Sequence, residues 1–337
     1  MHPPRDIYNQ EIVLKYSIVV PFHNEAENVT ELYDRLKDVM ETTGEGFELV
    51  FVDDGSSDGT FDLLREIAEI DSRVTVVKLR RNFGQTSALA AGFDHARGEY
   101  VIAMDGDLQH DPGEIPDFIA KVNEGYDIVS GWRRQRIDHL LLRRIPSRAA
   151  NWMMAKLSGV DIHDFGTTYK AYRRELLSQI PLYGELHRFI PALASWYGAS
   201  ICEIPISNIN RERGNSHYGI GRTLRVFFDL ITIRFLLRYL QRPLHFFGSV
   251  GMLSASAGCA IGVWLAMLKV LWNANIMSAH GPLLIFAAVL ILAGVQMLAL
   301  GLLGEMHVRH YHDAVRHAPY SVDRILRSKN EQSTMAD

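Results

Sequence analysis

Over the first 220 or so positions the apolar residues follow two rhythms. Short β-branched runs at Tyr16–Val20, Phe47–Val52, Val74–Leu79, Tyr100–Met104 and Asp127–Ser130 predict buried strands, the first stopped by Pro21. Between them, apolar residues return every third or fourth position: Val29, Leu32, Leu36, Val39 and Met40, then Leu63, Leu64, Ile67 and Ile70. Asn24 with Glu27 three residues on reads as a helix start, and an alanine-rich helix runs from Asn82-Phe83-Gly84 to Gly98. Pro112 and Pro116 flank the start of another helix. Glu185–Trp196 reads as a helix and Cys202–Ser207 as a further strand. Strand–helix alternation of this regularity predicts an α/β fold, a mostly parallel sheet covered on both faces, with ligands beyond the carboxyl ends of its strands.

The pattern changes after residue 218. From 219 to 242, apolar residues such as Leu224, Phe227, Phe228, Ile231 and Leu236 interleave with Arg222, Arg225, Arg234, Arg238 and Arg242, which predicts an amphipathic helix in a membrane interface. No Asp, Glu, Lys or Arg occurs between Arg242 and Lys269, nor between Gly281 and Gly304. Each stretch exceeds the roughly 20 apolar residues that cross a bilayer. Two transmembrane helices are expected within 243–304, at about 245–270 and 283–304, joined by a link around Asn273–Pro282. That link lacks Arg and Lys, while arginines crowd both outer flanks (Arg309 and Arg316 after the second span). The positive-inside rule then places the main domain and both termini in the cytoplasm, on a multi-pass inner-membrane protein. Small residues along the first span (Gly248, Gly251, Ser254, Ala257, Gly258, Gly262) suit close helix contacts, including contacts between subunits of a homo-oligomer. The expected division is an N-terminal tail (1–15), an α/β domain (16–218), the interfacial helix (219–242), the membrane pair and a cytoplasmic tail (305–337).

Composition adds exclusions. A net charge of −4 without a basic stripe gives no reason to expect nucleic acid. Two cysteines, Cys202 and Cys259, imply no disulfide framework. The first eleven residues are polar and lack the apolar centre of a signal peptide. His307, His310, His312 and His317 have no cysteine or suitably spaced carboxylate beside them, so a basic surface tail fits them better than a metal site.

The candidate chemistry collects at the strand ends. Met104-Asp105-Gly106-Asp107-Leu108-Gln109 follows the fourth strand, and on an extended backbone Asp105, Asp107 and Gln109 would aim oxygens at one point. Such hard ligands suit Mg²⁺ or Mn²⁺ carrying phosphate oxygens, and Gly106 would let a diphosphate approach the backbone. Asn24, Glu25, Asp53 and Arg133 fall at the other strand ends. Asp53 and Glu25 could accept from a base and ribose, and Arg133 could grip phosphate. Turn and helix-cap duty accounts equally for Asp53 and Asp54, and better for Asp58. The basic segment from Arg133 through Arg148 reads either as an ordinary amphipathic helix or as a membrane-surface element.

VPFHNE, VDDGSSDGT, the NFGQTSALAAGFDHARGEYV stretch and MDGDLQHDP, in this order, resemble family 2 glycosyltransferases, most closely the dolichyl- and undecaprenyl-phosphate sugar transferases. The resemblance is specific from Tyr16 to Arg133 and looser to about Tyr320. It implies a GT-A domain using a divalent ion, a nucleotide-diphospho-sugar donor (UDP- or GDP-linked) and a polyprenyl phosphate acceptor. By resemblance Pro21, His23, Glu25 and Asp53 lie at the nucleoside, Asp105 touches the nucleotide or sugar, and Asp107 with Gln109 binds the metal; the nucleotide-sugar reading of Arg133 rests on its own phosphate chemistry. Asp164, in DIHDFGTTYK, resembles the family's acceptor-side aspartate, which positions the nucleophile or acts as base. Arg211-Glu212-Arg213-Gly214-Asn215-Ser216-His217-Tyr218 is similar to a loop that closes over the diphosphate, with Arg211, Arg213, Ser216 and His217 at phosphate. His217 stands where a permanent cation is more usual, which would make that contact pH-dependent. The expected activity is inverting, metal-dependent sugar transfer to a polyprenyl phosphate for cell-envelope modification. A polysaccharide-elongating transferase and a non-catalytic membrane scaffold are the rivals.

Overall fold

The computed structural model describes residues 14–134, 155, 159–180, 182, 186–207, 243–273, 275–314 and 318–327. The expected N-terminal tail up to residue 13, the interfacial helix, the basic segment beyond Arg134 and the phosphate loop at Arg211–His217 lie outside these residues, while Leu14 and Lys15 of that tail begin the first strand. The chain divides into two compact units, Met1–Asp229 with Ala318–Asp337, and Leu230–His317.

In the first unit the described strands are β1 (Leu14–Phe22), β2 (Gly46–Asp53), β3 (Val74–Leu79), β4 (Tyr100–Ala103), β5 (Ile128–Arg133), β6 (Lys170–Arg173), β7 (Ile201–Ile206) and β8 (Val322–Leu326). They form one sheet in the order β7-β5-β6-β4-β1-β2-β3-β8. Only β6 and β8 run antiparallel to their neighbours. The carboxyl ends of β1, β2, β4 and β5 therefore share one edge, and each delivers site residues there.

The strand period of two divides β1 between two cores. Tyr16, Ile18, Val20 and Phe22 pack on one face, while Val19 packs on the other. Helices α1 (Ala26–Thr42), α2 (Thr60–Ile70) and α4 (Ile115–Asn123) cover the first face and α3 (Gln85–His95) covers the second. On α1 the buried positions Val29, Leu32, Tyr33, Leu36 and Met40 follow the helical repeat. Gly92 on α3 lets that helix lie against β1, because a Cβ there would run into Val19 Cγ1.

Three expectations change. Pro21 does not stop β1, which continues to Phe22 with Pro21 paired to Val52. Val19 accepts from Met104 N on the β4 side, so Pro21, two residues on, turns its N–H-less nitrogen to that side, past the end of β4. The expected helix at Glu185–Trp196 is broken into a 3₁₀ turn (Leu186–Phe189), the short α5 (Ile190–Ala194) and a second 3₁₀ turn (Ser195–Tyr197), with Pro191 in the first turn of α5. The segment expected as a tail holds β8, paired antiparallel with β3. Tyr320 Oη donates to Asp94 Oδ2 at 2.6 Å and Arg80 N to Ser321 O at 3.0 Å, fastening this strand to α3 and the end of β3.

The second unit is a helical hairpin of α6 (Pro243–Trp272) and α7 (Ile276–Ala314), kinked at His280 just before Pro282. Most of the expected link is therefore helical. Both helices are long and apolar enough to cross a membrane, and little of either is buried. Small residues let the backbones touch. A Cβ on Gly251 would lie 2.7 Å from Gly294 O, and one on Gly258 would lie 2.7 Å from Ala287 O. Ser254 Oγ donates to Leu290 O at 2.9 Å. The stripe expected to serve contacts between subunits is in part used by the chain's own second helix.

Candidate active site

Beyond β1 and β2 a polar frame ties three loops together. Asp54 accepts from Phe83 N at 2.7 Å and Gly84 N at 2.9 Å, fixing the turn into α3. His23 Nδ1 donates to Asp54 O and its Nε2 accepts from Asn82 Nδ2, both at 2.9 Å, which sets the tautomer. Asn24, in the left-handed region at φ 56°, accepts from Ser57 N at 2.8 Å. Glu25 accepts from Asn28 Nδ2 at 2.6 Å, and its backbone N–H donates to Thr60 Oγ1 at 3.0 Å. Asp58 takes Ala26 N and Thr60 N, both at 3.1 Å, which is the turn and cap duty expected of it.

Asp53 differs from these neighbours. Its side chain has no exposure, Oδ1 accepts from Ser56 N at 3.1 Å, and buried Oδ2 has no partner among the described residues. Burial raises its pKa, opposed by the Ser56 hydrogen bonds. A buried acceptor without a donor is costly, and a ligand N–H would satisfy it.

The acidic strap after β4 departs from the strand geometry expected of it. β4 ends at Ala103 and Leu108 takes φ 57°, so the i, i+2 alternation does not carry through Asp105, Asp107 and Gln109. Asp105 Oδ1 accepts from Gln85 Nε2 at 2.6 Å, and the same amide donates to Thr168 Oγ1 at 3.1 Å. Its surroundings push the Asp105 carboxyl above the usual range by withdrawing it from water, against hydrogen bonds from Thr168 and Gln85 and the charge of Arg133. Asp107 Oδ1 accepts from Gln109 N at 3.1 Å. Among the described residues no three His, Cys, Asp or Glu side chains converge on a metal position. At Gly106 a Cβ would meet the Phe22 ring at 2.7 Å, so the missing side chain serves packing against β1. His110, buried and tilted against Tyr169 at 5.1 Å, closes the strap from below. Burial pushes His110 down to about 4, so the ring is neutral near pH 7.

On the other side of the site Arg133, ending β5, reaches Asp164. Nε donates to Oδ2 at 2.8 Å and Nη2 to Oδ1 at 3.1 Å, the two-pronged pairing that Arg geometry favours. Asp164 also accepts from Gly166 N at 3.1 Å. The backbone carrying Asp164 is fixed by Glu203 on β7, which accepts from His163 N at 2.9 Å, Asp164 N at 3.0 Å and His163 Nδ1 at 2.8 Å. The His163 ring stacks on Trp132 at 4.5 Å. Lys170 on β6 is wholly buried and donates to Phe165 O and Thr167 O, stitching the same loop from beneath. Burial lowers its pKa to about 7, against the attraction of Asp164 and Asp105.

The structure thus brings Asp53, Asp105, Asp107 and Gln109 to one sheet edge with Arg133 and Asp164, while Pro21, His23 and Glu25 frame the first strand end. The model of glycosyl transferase family 2 matches residues 17–181. Over 322 residues the chain is 39% identical to dodecaprenyl-phosphate galacturonate synthase of Rhizobium johnstonii, covering 94% of this chain and 95% of the relative. The chain belongs to glycosyl transferase family 2.

Other relatives of this family 2 chain include undecaprenyl-phosphate 4-deoxy-4-formamido-L-arabinose transferase of Pseudomonas aeruginosa, 37% identical over 313 residues, 93% of this chain and 90% of the relative. Two solved structures share its fold. Mannosyl-3-phosphoglycerate synthase from Rubrobacter xylanophilus matches with TM-score 0.53 at 20% identity, over 67% of this chain and 75% of that one. Glucosyl-3-phosphoglycerate synthase from Mycobacterium tuberculosis, solved with Mn²⁺ and UDP-glucose, matches with TM-score 0.51 at 21% identity, over 66% and 79%. The sheet is of the GT-A type.

Sequence reasoning gave no role to Gln85, His110, Lys170 or Glu203. Lys170 left one signal, a lone cation within the apolar and aromatic run Tyr169-Lys170-Ala171-Tyr172. Glu203 left none, since an acid within a short edge strand is ordinarily solvated.

Proposed function

We propose that this family 2 chain transfers a sugar from a nucleotide-diphospho-sugar to the phosphate of a membrane polyprenyl phosphate, with inversion at the anomeric carbon. The observation that carries this reading is near full-length similarity, through both membrane-length helices, to relatives named for dodecaprenyl- and undecaprenyl-phosphate acceptors. Those relatives are named for galacturonate and for a formamido-arabinose, so the donor sugar here is a uronic acid, an amino-pentose or a related sugar rather than necessarily a plain hexose.

Phosphate oxygen attacks the anomeric carbon from one side as the bond to the diphosphate breaks on the other. An alkyl phosphate has a second pKa of about 6 and is largely ionised at neutral pH, so no strong base is required. Asp164 accordingly acts through Arg133, holding the guanidinium for a phosphate group. Asp53 Oδ2 receives a donor of the nucleobase or ribose. Asp105, Asp107 and Gln109 are the residues that would hold Mg²⁺ or Mn²⁺. Two carboxylates and an amide are hard oxygen donors of the kind that would suit either ion. When bound, that ion neutralises charge on the departing nucleoside diphosphate. The phosphate contacts expected of Arg211, Arg213, Ser216 and His217 belong to the same proposal.

The pairing of β8 with β3 supports a topology for this proposal. The sheet domain precedes α6 and regains β8 after α7, so two crossings return the chain to the side it left. With the arginine bias, that side is the cytoplasm. The test is incubation of membranes holding the full-length protein with labelled UDP- and GDP-sugars, uronic and amino-pentose donors included, and undecaprenyl phosphate. Lipid labelling that EDTA abolishes, Mg²⁺ or Mn²⁺ restores and Asp107→Ala lacks is expected. Labelling that EDTA and Asp107→Ala leave untouched would sink the metal assignment, and transfer only to a growing polysaccharide would sink the acceptor.

A further inference from the structure

One polar side chain at the sheet edge is explained neither by folding nor by the transfer steps above. Gln85 opens α3 and is exposed, so neither the core nor the helix requires an amide there. Its backbone is nonetheless pinned on both sides. Asp54 accepts from Phe83 N and Gly84 N just before it, and Thr86 just after it is hydrogen-bonded through Oγ1 to buried His187 at 2.6 Å. From this fixed base Gln85 Nε2 directs one hydrogen to Asp105 Oδ1 at 2.6 Å and the other to Thr168 Oγ1 at 3.1 Å. Thr168, itself buried, hydrogen-bonds the Asp105 carboxylate in turn. A closed ring therefore links the first turn of α3, the strap after β4 and the loop before β6.

That ring joins the two halves of the site. Asp105 lies in the acidic strap assigned to the sugar donor, and Thr168 lies in the loop that carries Asp164 and its ion pair with Arg133. An ionised carboxylate only accepts, which fixes the amide with its nitrogen toward Asp105. Lys170 and Glu203 fasten the loop to β6 and β7, whereas Gln85 and Thr168 tie it to Asp105. We infer that Gln85 is a positioning residue, whose amide sets the spacing between Asp105 on the sugar-donor side and the Asp164–Thr168 loop on the acceptor side. That role rests on the transfer proposed above. An in-line displacement needs it, because misplacing the reacting atoms by about 1 Å costs on the order of a hundredfold in rate. The exposure of Gln85 makes the role separable from folding, since the side chain can be exchanged without opening the core.

The test uses the full-length protein in nanodiscs with undecaprenyl phosphate and the labelled nucleotide-sugar that wild type uses from the panel above. Gln85→Met keeps the shape and removes both N–H groups. Its kcat for transfer should fall about thirtyfold, while its KM for the sugar donor and its slow hydrolysis of that donor without acceptor stay within about twofold. The melting temperature should not move. Gln85→Glu has the same shape but sets a second carboxylate against Asp105, so its kcat should fall further. Thr168→Val opens the same ring, and adding Gln85→Met to it should cost less than about threefold more. Hydrogen exchange at residues 166–169, read by mass spectrometry without substrates, should be about tenfold faster in Gln85→Met than in wild type. Transfer and hydrolysis falling together would put Gln85 on the sugar donor alone and overturn the inference. Unchanged transfer in Gln85→Met, a faster Gln85→Glu than Gln85→Met, full losses that multiply in the double variant, or unchanged exchange would each overturn it as well. Exchange is read without turnover, so a wild-type protein that transfers sugar to no polyprenyl phosphate overturns the functional reading separately.

Discussion

Arg133 and Asp164 form a two-pronged ion pair, Nε to Oδ2 at 2.8 Å and Nη2 to Oδ1 at 3.1 Å, with side chains 16% and 4% exposed. The pair joins the end of β5 to the loop before β6. Arg133→Lys keeps the charge and loses the fork. Turnover is expected to fall more than about tenfold with little change in melting temperature. Asp164→Ala leaves a part-buried guanidinium without its carboxylate and is expected to destabilise the sheet domain by about 3 kcal/mol, read by denaturant unfolding. Equal turnover in Arg133→Lys and wild type would remove Arg133 from the site.

Glu203 stands one step further back. Its carboxylate gathers His163 N, Asp164 N and His163 Nδ1 and so fixes the backbone that presents Asp164. Glu203→Gln turns an amide N–H toward donors, which forfeits at least one charge-assisted bond of about 1.5–3 kcal/mol. The expected outcome is a kcat lower by about tenfold or more with the donor KM unchanged. A variant that changes only the donor KM would place Glu203 on the nucleotide side instead.

Much of this was legible in the sequence, and the misses have physical causes. The strands before β6 could be read as short apolar runs because they are buried on both faces, and α1 and α2 could be read from their period because each buries one face. β6 is four residues long and a buried lysine interrupts its apolar run, which left it too short to be read as a strand. β8 is an edge strand with burial confined to its ends, which breaks the alternation that would have revealed it. At the site, Asp53, Asp105 and Arg133 were found because strand ends are marked by turn chemistry. Gln85 was missed because its amide reaches Asp105 only after α3 has packed, and nothing local records that pairing.

A histidine outside the strap gives the clearest pH dependence. His187, buried behind α3, donates from Nδ1 to Thr86 Oγ1 at 2.6 Å, while Nε2 accepts from Arg188 Nε. Burial lowers its pKa from the usual 6.5 to about 3, helped by the charges of Arg188 and Lys170. Below pH 6.5 the unfolded chain takes a proton at this ring that the folded chain refuses until about pH 3. Stability is therefore full above 6.5 and falls as pH drops toward 3, by up to about 1.4 kcal/mol per unit. Relative to pH 7.5, wild type at pH 5 is expected to lose about 2 kcal/mol more than His187→Gln, measured by urea unfolding. Parallel profiles for the two proteins would contradict this.

Gly106 offers a packing test. Its absent Cβ leaves room for the Phe22 ring, so Gly106→Ala should cost about 1–3 kcal/mol through overpacking. Adding Phe22→Leu should recover part of that loss, since the clash is with the ring itself. A double variant no better than the sum of the single variants would mean that the backbone at Gly106, rather than the space, is what matters.

The closing strand β8 also dictates an order of manufacture. Residue 79 leaves the ribosome 247 residues before residue 326, an interval on the order of tens of seconds at ordinary elongation rates. Throughout that interval the outer side of β3 is an unpaired edge, open to any stray strand. Both apolar helices are translated before the strand that shields it. The sheet thus closes only after both helices have been made, and a nascent chain stalled before then is the form most exposed to aggregation.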